Sequence, residues 1–220
     1  MKKVTKAVAS ALVVIGMGIA STSAVATDCV GGGIDHLSEW AALGAGGCTE
    51  GDKLYKYVGG TLNAGVGGLN ISFAGGSDPN AIHQIFIGGP AIYTSGQANS
   101  DWTLVYSIEV TDLTRFITSV DLDVTQSAQT GSTTVAKNVK DKLGNDLGTL
   151  TSLNGAAVAA IATNNQFLLI SEKFSKTGNA IMNSAQNTYT QNKVAAPEPG
   201  TLALLGLGML GLAASRRRKS

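Results

Sequence analysis

Residues 102–110 read WTLVYSIEV, and their alternation decides the fold class. Trp102, Leu104, Tyr106, Ile108 and Val110 fall on one side of an extended chain, with Thr103, Ser107 and Glu109 on the other. Successive side chains of a strand point to opposite faces, so this is the pattern of a strand with one buried face. A helix would scatter the same apolar residues around its circumference. Residues 116–124 repeat the pattern, with Phe116, Thr118, Val120, Leu122 and Val124 together. The short stretch DLTR at 112–115 predicts a hairpin between the two strands.

Outward from this pair, shorter alternating runs cover 54–58, 69–73, 82–87, 133–138, 148–152 and 167–172. They are separated by GGSDPN at 75–80, GGP at 88–90, residues 96–101 and GND at 144–146. Gly, Pro, Asn and Asp favour turns through backbone geometry and local hydrogen bonds. Many short strands with such breaks predict a mainly β protein, an antiparallel β-sandwich or jelly-roll-like domain over residues 53–178. Residues 156–163 fit a short helix or a buried strand equally well. The polar stretch 179–196 begins as a last strand or turn and then reads as a linker.

Charged residues make up 14% of the chain, against roughly 25% in an average soluble protein. This low-charge, Gly-rich composition suits an exported, turn-rich β protein. The formal net charge of +1 hides an uneven distribution. Lys2, Lys3 and Lys6 stand at one end and Arg216, Arg217, Arg218 and Lys219 at the other, leaving a net acidic middle. No nucleic-acid partner is expected for such a middle.

The first 26 residues read as a secretory signal peptide, a helix with a basic start, an apolar run over 7–20 and a small-x-small cleavage pattern at Ala24 and Ala26. The partners this implies are the Sec translocon and signal peptidase, with Thr27 as the first mature residue. Export gives the two cysteines a meaning: Cys29 and Cys48 predict one disulfide closing a leader over 27–52. Such a loop constrains the unfolded chain by about 3 kcal/mol in the entropic model. Inside it, Ile34, Leu37 and Ala41, with Trp40, have helical spacing and predict a short helix.

At the other end, residues 197–220 read PEPGTLALLGLGMLGLAASRRRKS. Pro197, Glu198 and Pro199 form an extended, non-helical strip, because each proline biases its neighbours away from the helix. The uncharged apolar run 202–214 suits lipid, and Arg216, Arg217, Arg218 and Lys219 act as a cytoplasmic stop-transfer end. A helix over 201–215 would span only about 22 Å, short of a ~30 Å hydrocarbon core, which suits a temporary anchor. The three parts in this order resemble the PEP-CTERM sorting signal of Gram-negative bacteria. The resemblance implies an exosortase as partner, with Pro197, Glu198 and Pro199 as its recognition residues. It also implies transient anchoring in the inner membrane, cleavage near the triplet, and a destination at the cell surface or in the polysaccharide matrix. An exopolysaccharide is the further partner that setting suggests. GCTEGDKLYKY at 47–57 is similar to a GC-x-x-GDK-x-aromatic opening of other PEP-CTERM proteins and brings no catalytic residue with it.

No motif assigns a catalytic residue, a cofactor or a metal. GLGMLG at 206–211 matches a dinucleotide fingerprint but sits in the apolar anchor, where no strand precedes it. His36 and His83 are the only histidines and are expected at boundary or surface positions. Asp121 with Asp123, and Asp141 with Asn145 and Asp146, are oxygen-rich and read as solvated faces. Tyr55, Tyr57 and Tyr93, if exposed, are the candidates for stacking on sugar. The expectation is a non-enzymatic exported protein, with a carbohydrate-binding module or adhesin as the alternative and a secreted hydrolase last.

Overall fold

The structure is a computed structural model that describes residues 26–62, 68–75, 82–89, 91–94, 98, 100–127 and 130–193. The signal helix, the sorting helix and the residues assigned to sorting and stop-transfer therefore lie outside the described residues, as does Ala24; Ala26 is half-buried just before the first strand. Among the described residues no helix is long and apolar enough to cross a membrane.

Two sheets face each other. The larger runs, in spatial order, β1 (Thr27–Asp28), β2 (Cys48–Glu50), β3 (Lys53–Gly59), β6 (Trp102–Val110), β11 (Phe167–Gly178), β8 (Gly131–Lys140) and β9 (Asp146–Leu153). The smaller runs β10 (Ile161–Asn165), β7 (Arg115–Ser127), β12 (Ile181–Lys193), β5 (Ile82–Gly88) and β4 (Asn70–Ala74). All ladders are antiparallel except the short parallel pair of β1 with β2, so the sandwich is mixed at one edge. The single helix among the described residues, α1 (Leu37–Ala42), lies inside the stretch expected to be helical. Glu39 accepts the main-chain N–H groups of Asp35 and His36 at 2.8 and 2.9 Å and closes the first turn.

The core forms where the alternation put it. Trp102, Leu104, Tyr106, Ile108 and Val110 are all buried on β6. Helix α1 buries Leu37 and Trp40, and the Trp40 ring lies 5.3 Å from Phe73 and 5.5 Å from Tyr106. Trp102 stacks on Phe174 at 3.9 Å. Fully burying one such side chain contributes ~1.5–3 kcal/mol. Leaving a buried polar atom unpaired costs ~1–3 kcal/mol, enough to cancel one of them.

Four expectations change. β6 and β7 do not form a hairpin: they belong to opposite sheets, and residues 111–114 arch across the sandwich between them. An arch and a hairpin show the same alternation, because either way both strands turn their apolar faces to one core. On β7 the register slips between Ile117 and Ser119 against both neighbours, and this bulge at Thr118 turns Ile117 inward while Phe116 and Thr118 stay half-exposed. The stretch expected to become a linker is mostly β12, paired with β7 and β5 at the centre of its sheet. Its inward residues Met182, Ala185, Asn187, Tyr189 and Gln191 are buried, but too few are apolar for the strand to announce itself. The leader is not separate either: it supplies β1 and β2, and Leu37 and Ile71 donate to the main-chain oxygens of Leu69 and Asp35, which covers the outer edge of β4. For residues 156–163, where a short helix and a buried strand fitted equally well, the chain enters the half-exposed edge strand β10 at Ile161.

Candidate functional site

Several inward positions that a period-two pattern reserves for apolar residues hold polar ones. Lys53, His83, Lys137, Glu172, Asn187 and Gln191 are all buried between the sheets. They form two groups, one at the turn joining β2 to β3 and one deeper between β8, β11 and β12.

The first group grows from a single tight turn. Gly51 takes a left-handed φ of 57° between β2 and β3, a conformation that favours glycine, and the turn brings Glu50, Asp52 and Lys53 together. Lys53 points inward, where its Nζ donates to Asp52 Oδ1 at 2.5 Å and to Gln191 Oε1 of β12. It also lies 3.4 Å from His83 Nε2 on β5. The other ring nitrogen, Nδ1, is 3.1 Å from Glu50 Oε2. Glu50 and Lys53 thus occupy both nitrogens, and the pattern assigns a neutral imidazole that donates from Nδ1 and accepts at Nε2. Burial lowers the His83 pKa and the Lys53 ammonium lowers it further, against the opposing pull of Glu50 and Asp52. Burial also lowers the Lys53 pKa, offset by its hydrogen bond to Asp52. Arg115 Nη1 reaches Asp52 Oδ2 at 3.3 Å and Arg115 Nε reaches Asp112 Oδ2 at 3.0 Å, which ties the arch to the same turn.

A cavity of about 570 Å³, lined by Asp28, Thr49, Glu50, Phe73 and Gly75 among others, opens beside this group. Glu50 borders it and His83 lies behind. A Cβ on Gly75 would fall 2.3 Å from His83 Nδ1 and 2.4 Å from Glu50 Oε2, so only glycine lets the strand end approach so closely. The imidazole is sealed from solvent, and its nitrogens are spent on Glu50 and Lys53. The arrangement clamps the β2–β3 turn to β5, β12 and the arch.

The expected boundary position of His83 is therefore overturned: it is at the centre of a buried network. His36 remains half-buried before α1. Cys29 and Cys48 form the expected disulfide, with Cα atoms 5.0 Å apart. Of the aromatics considered for sugar stacking, Tyr55 and Tyr93 are buried in the core, whereas Tyr57 is half-buried, packing edge-on to Trp40 at 6.2 Å and lining a surface cavity with Lys56 and Val58. Asp141 accepts from the Leu143 and Asn145 main-chain N–H groups, and Asp146 accepts from Asn138 and Gly148. Both carboxylates are used by their own turns. Asp121 and Asp123 lie on the outer face of β7, alternating with buried Val120, Leu122 and Val124. Among the described residues no three His, Cys, Asp or Glu side chains are grouped as metal ligands. One signal for the buried network was available in the sequence: Lys53 and His83 each lead an alternation whose next same-face members, Tyr55 and Ile85, are core residues.

Residues 195–219 match the PEP-CTERM protein-sorting motif. No curated protein matches the chain. Among solved structures, the chain is similar to the family 11 carbohydrate-binding module of the cellulosomal cellulase Lic26A-Cel5E of Clostridium thermocellum. The identity is 13% and the TM-score 0.24, over 66% of this chain and 97% of that one. A family 11 module from Clostridium thermocellum in complex with a beta-1,3-1,4-mixed-linked tetrasaccharide gives 11% identity and a TM-score of 0.24, over 67% and 93%.

Proposed function

We propose that this chain, a carrier of the PEP-CTERM sorting motif, is a non-enzymatic surface or matrix protein whose sandwich is handed over by an exosortase. The motif itself indicates an exported protein sorted to the cell envelope. One observation carries the finer reading: the motif begins two positions after Lys193, where β12 ends. Pro197, Glu198 and Pro199 follow at once, so a cut near the triplet leaves the central strand of the smaller sheet whole. The signal peptide directs the chain through the Sec translocon. The apolar run and its basic end hold it in the inner membrane with the triplet on the outer side. Cleavage then releases the sandwich to the surface or to a polysaccharide matrix. Its contribution there is as a rigid, disulfide-closed body.

Pro197→Ala and Glu198→Ala variants test this. Each is expected to leave the uncleaved form in the inner-membrane fraction, while the parent chain leaves that fraction shortened at its C-terminal side. Parent-like processing in both variants would remove the recognition role of the triplet.

A further inference from the structure

We propose that Lys137 and Asn187 become joined by an intramolecular isopeptide bond, formed by the protein itself with Glu172 as the proton carrier. The inference is independent of the sorting route and rests on the deeper polar group.

Lys137 and Glu172 stand directly opposite each other in the β8–β11 ladder, both buried, with Lys137 Nζ 3.7 Å from Glu172 Oε1. The lysine crosses the gap between the sheets. Its Nζ donates to the main-chain oxygen of Asp121 at 2.8 Å and lies 5.2 Å from the centre of the Tyr189 ring. Both contacts adjoin Asn187 in register, at the levels of Thr188 and Tyr189. Asp121 adjoins Leu122, the register partner of Asn187 on β7, and Tyr189 is the next inward residue of β12. Tyr106 OH donates to Glu172 Oε1 at 2.8 Å and meets Tyr189 OH at 2.6 Å, fixing one carboxyl oxygen. The other, Glu172 Oε2, has no hydrogen-bond partner among the described residues, and neither do Asn187 Nδ2 and Oδ1. Buried polar atoms of native proteins are seldom left unpaired, and a whole buried amide and a buried carboxyl oxygen left so call for a reason.

The chemistry needs nothing from outside. Burial brings the Lys137 pKa down to about 8, against the opposing pull of Glu172 and Asp121, which makes the neutral amine available near neutral pH. One proton passes from the Lys137 ammonium to Glu172. The free amine attacks Asn187 Cγ and a C–N bond forms. Glu172 gives its proton to Nδ2 and takes one from the attacking nitrogen, and the Cγ–Nδ2 bond breaks to release ammonia. Nothing is oxidised or reduced. The product replaces a buried ammonium and an unpaired amide with one secondary amide, and ties β8 of one sheet to β12 of the other.

Intact-mass measurement and peptide mapping of the full chain, produced in an exporting host and shown to be folded by circular dichroism, test the bond. The expected result is a mass lower by one ammonia, beyond any trimming at the ends, and a branched peptide joining Lys137 to Asn187. Lys137→Arg and Glu172→Gln should each lose that peptide. Separate linear peptides carrying unmodified Lys137 and Asn187 from the folded parent would overturn the proposal, and so would conversion of Asn187 to Asp without a branch. If a variant does not fold, the parent map alone decides.

Discussion

His83 shows how one side chain can hold three elements. Its ring bridges Glu50 of β2 and Lys53 of β3 from its own place on β5, and Lys53 continues to Gln191 of β12. The network works with a neutral ring, because burial and the neighbouring Lys53 ammonium disfavour a second cation more than Glu50 and Asp52, whose Oδ1 lies 3.7 Å from Nε2, favour it. The pKa of His83 is lowered in the folded protein, so above the unfolded value of 6.5 its contribution is fully present. Below that value the unfolded chain takes up a proton that the folded chain resists, and stability falls as the pH drops toward the folded pKa. The expected slope is at most ~1.4 kcal/mol per pH unit for the one proton. Chemical denaturation between pH 7 and 5 checks this: His83→Gln should be less stable at pH 7 and show a flatter profile, and an equal slope in both proteins would refute the assignment. Only the turn itself was legible in the GCTEGDK stretch. The alternation sets Lys53 and His83 on the faces of Tyr55 and Ile85, but the partners on β5 and β12 are far away in sequence, and nothing in it says that these side chains meet.

At the scale of elements, the leader and β12 carry more of the sandwich than their composition suggests. The Cys29–Cys48 bridge fastens β1 beside β2, and the loop it closes contains α1, whose Trp40 packs against Phe73 and Tyr106. Reduction therefore releases an element that helps cover the core and the edge of β4. Cys29→Ser with Cys48→Ser is expected to cost about 3 kcal/mol, read as a lowered denaturant midpoint at unchanged slope. A change in slope would mean instead that the leader detaches as a separate unit. The bulge at Thr118 is an event of the same scale. Inserting one residue switches which side chains face inward, so Ile117 rather than Phe116 enters the core. The alternation of residues 116–124 could not reveal it, since the slip is visible only against β10 and β12.

For the molecule as a whole, the decisive fact is where β12 sits. β12 lies between β7 and β5, so the smaller sheet is complete only when the chain has been made up to Lys193. A chain ending at Lys193 should keep the β signature and cooperative unfolding of the parent by circular dichroism. One ending at Gly178 should lose both, because two strands lose their ladder and the core loses Met182, Ala185 and Tyr189. Cooperative unfolding of the shorter chain would show that β12 is an accessory. The sequence by itself determined the β character, the inward face of β6, the short helix, the cysteine pair and the sorting motif. Each rests on contiguous residues whose spacing or chemistry carries the meaning. Only the tertiary structure decided that β6 and β7 part to opposite sheets, that a polar stretch becomes a central strand, and that Lys53 meets His83 and Lys137 meets Glu172 inside. Polar residues enter a core when distant partners satisfy them, and which partners those are depends on strand order, which local alternation does not encode.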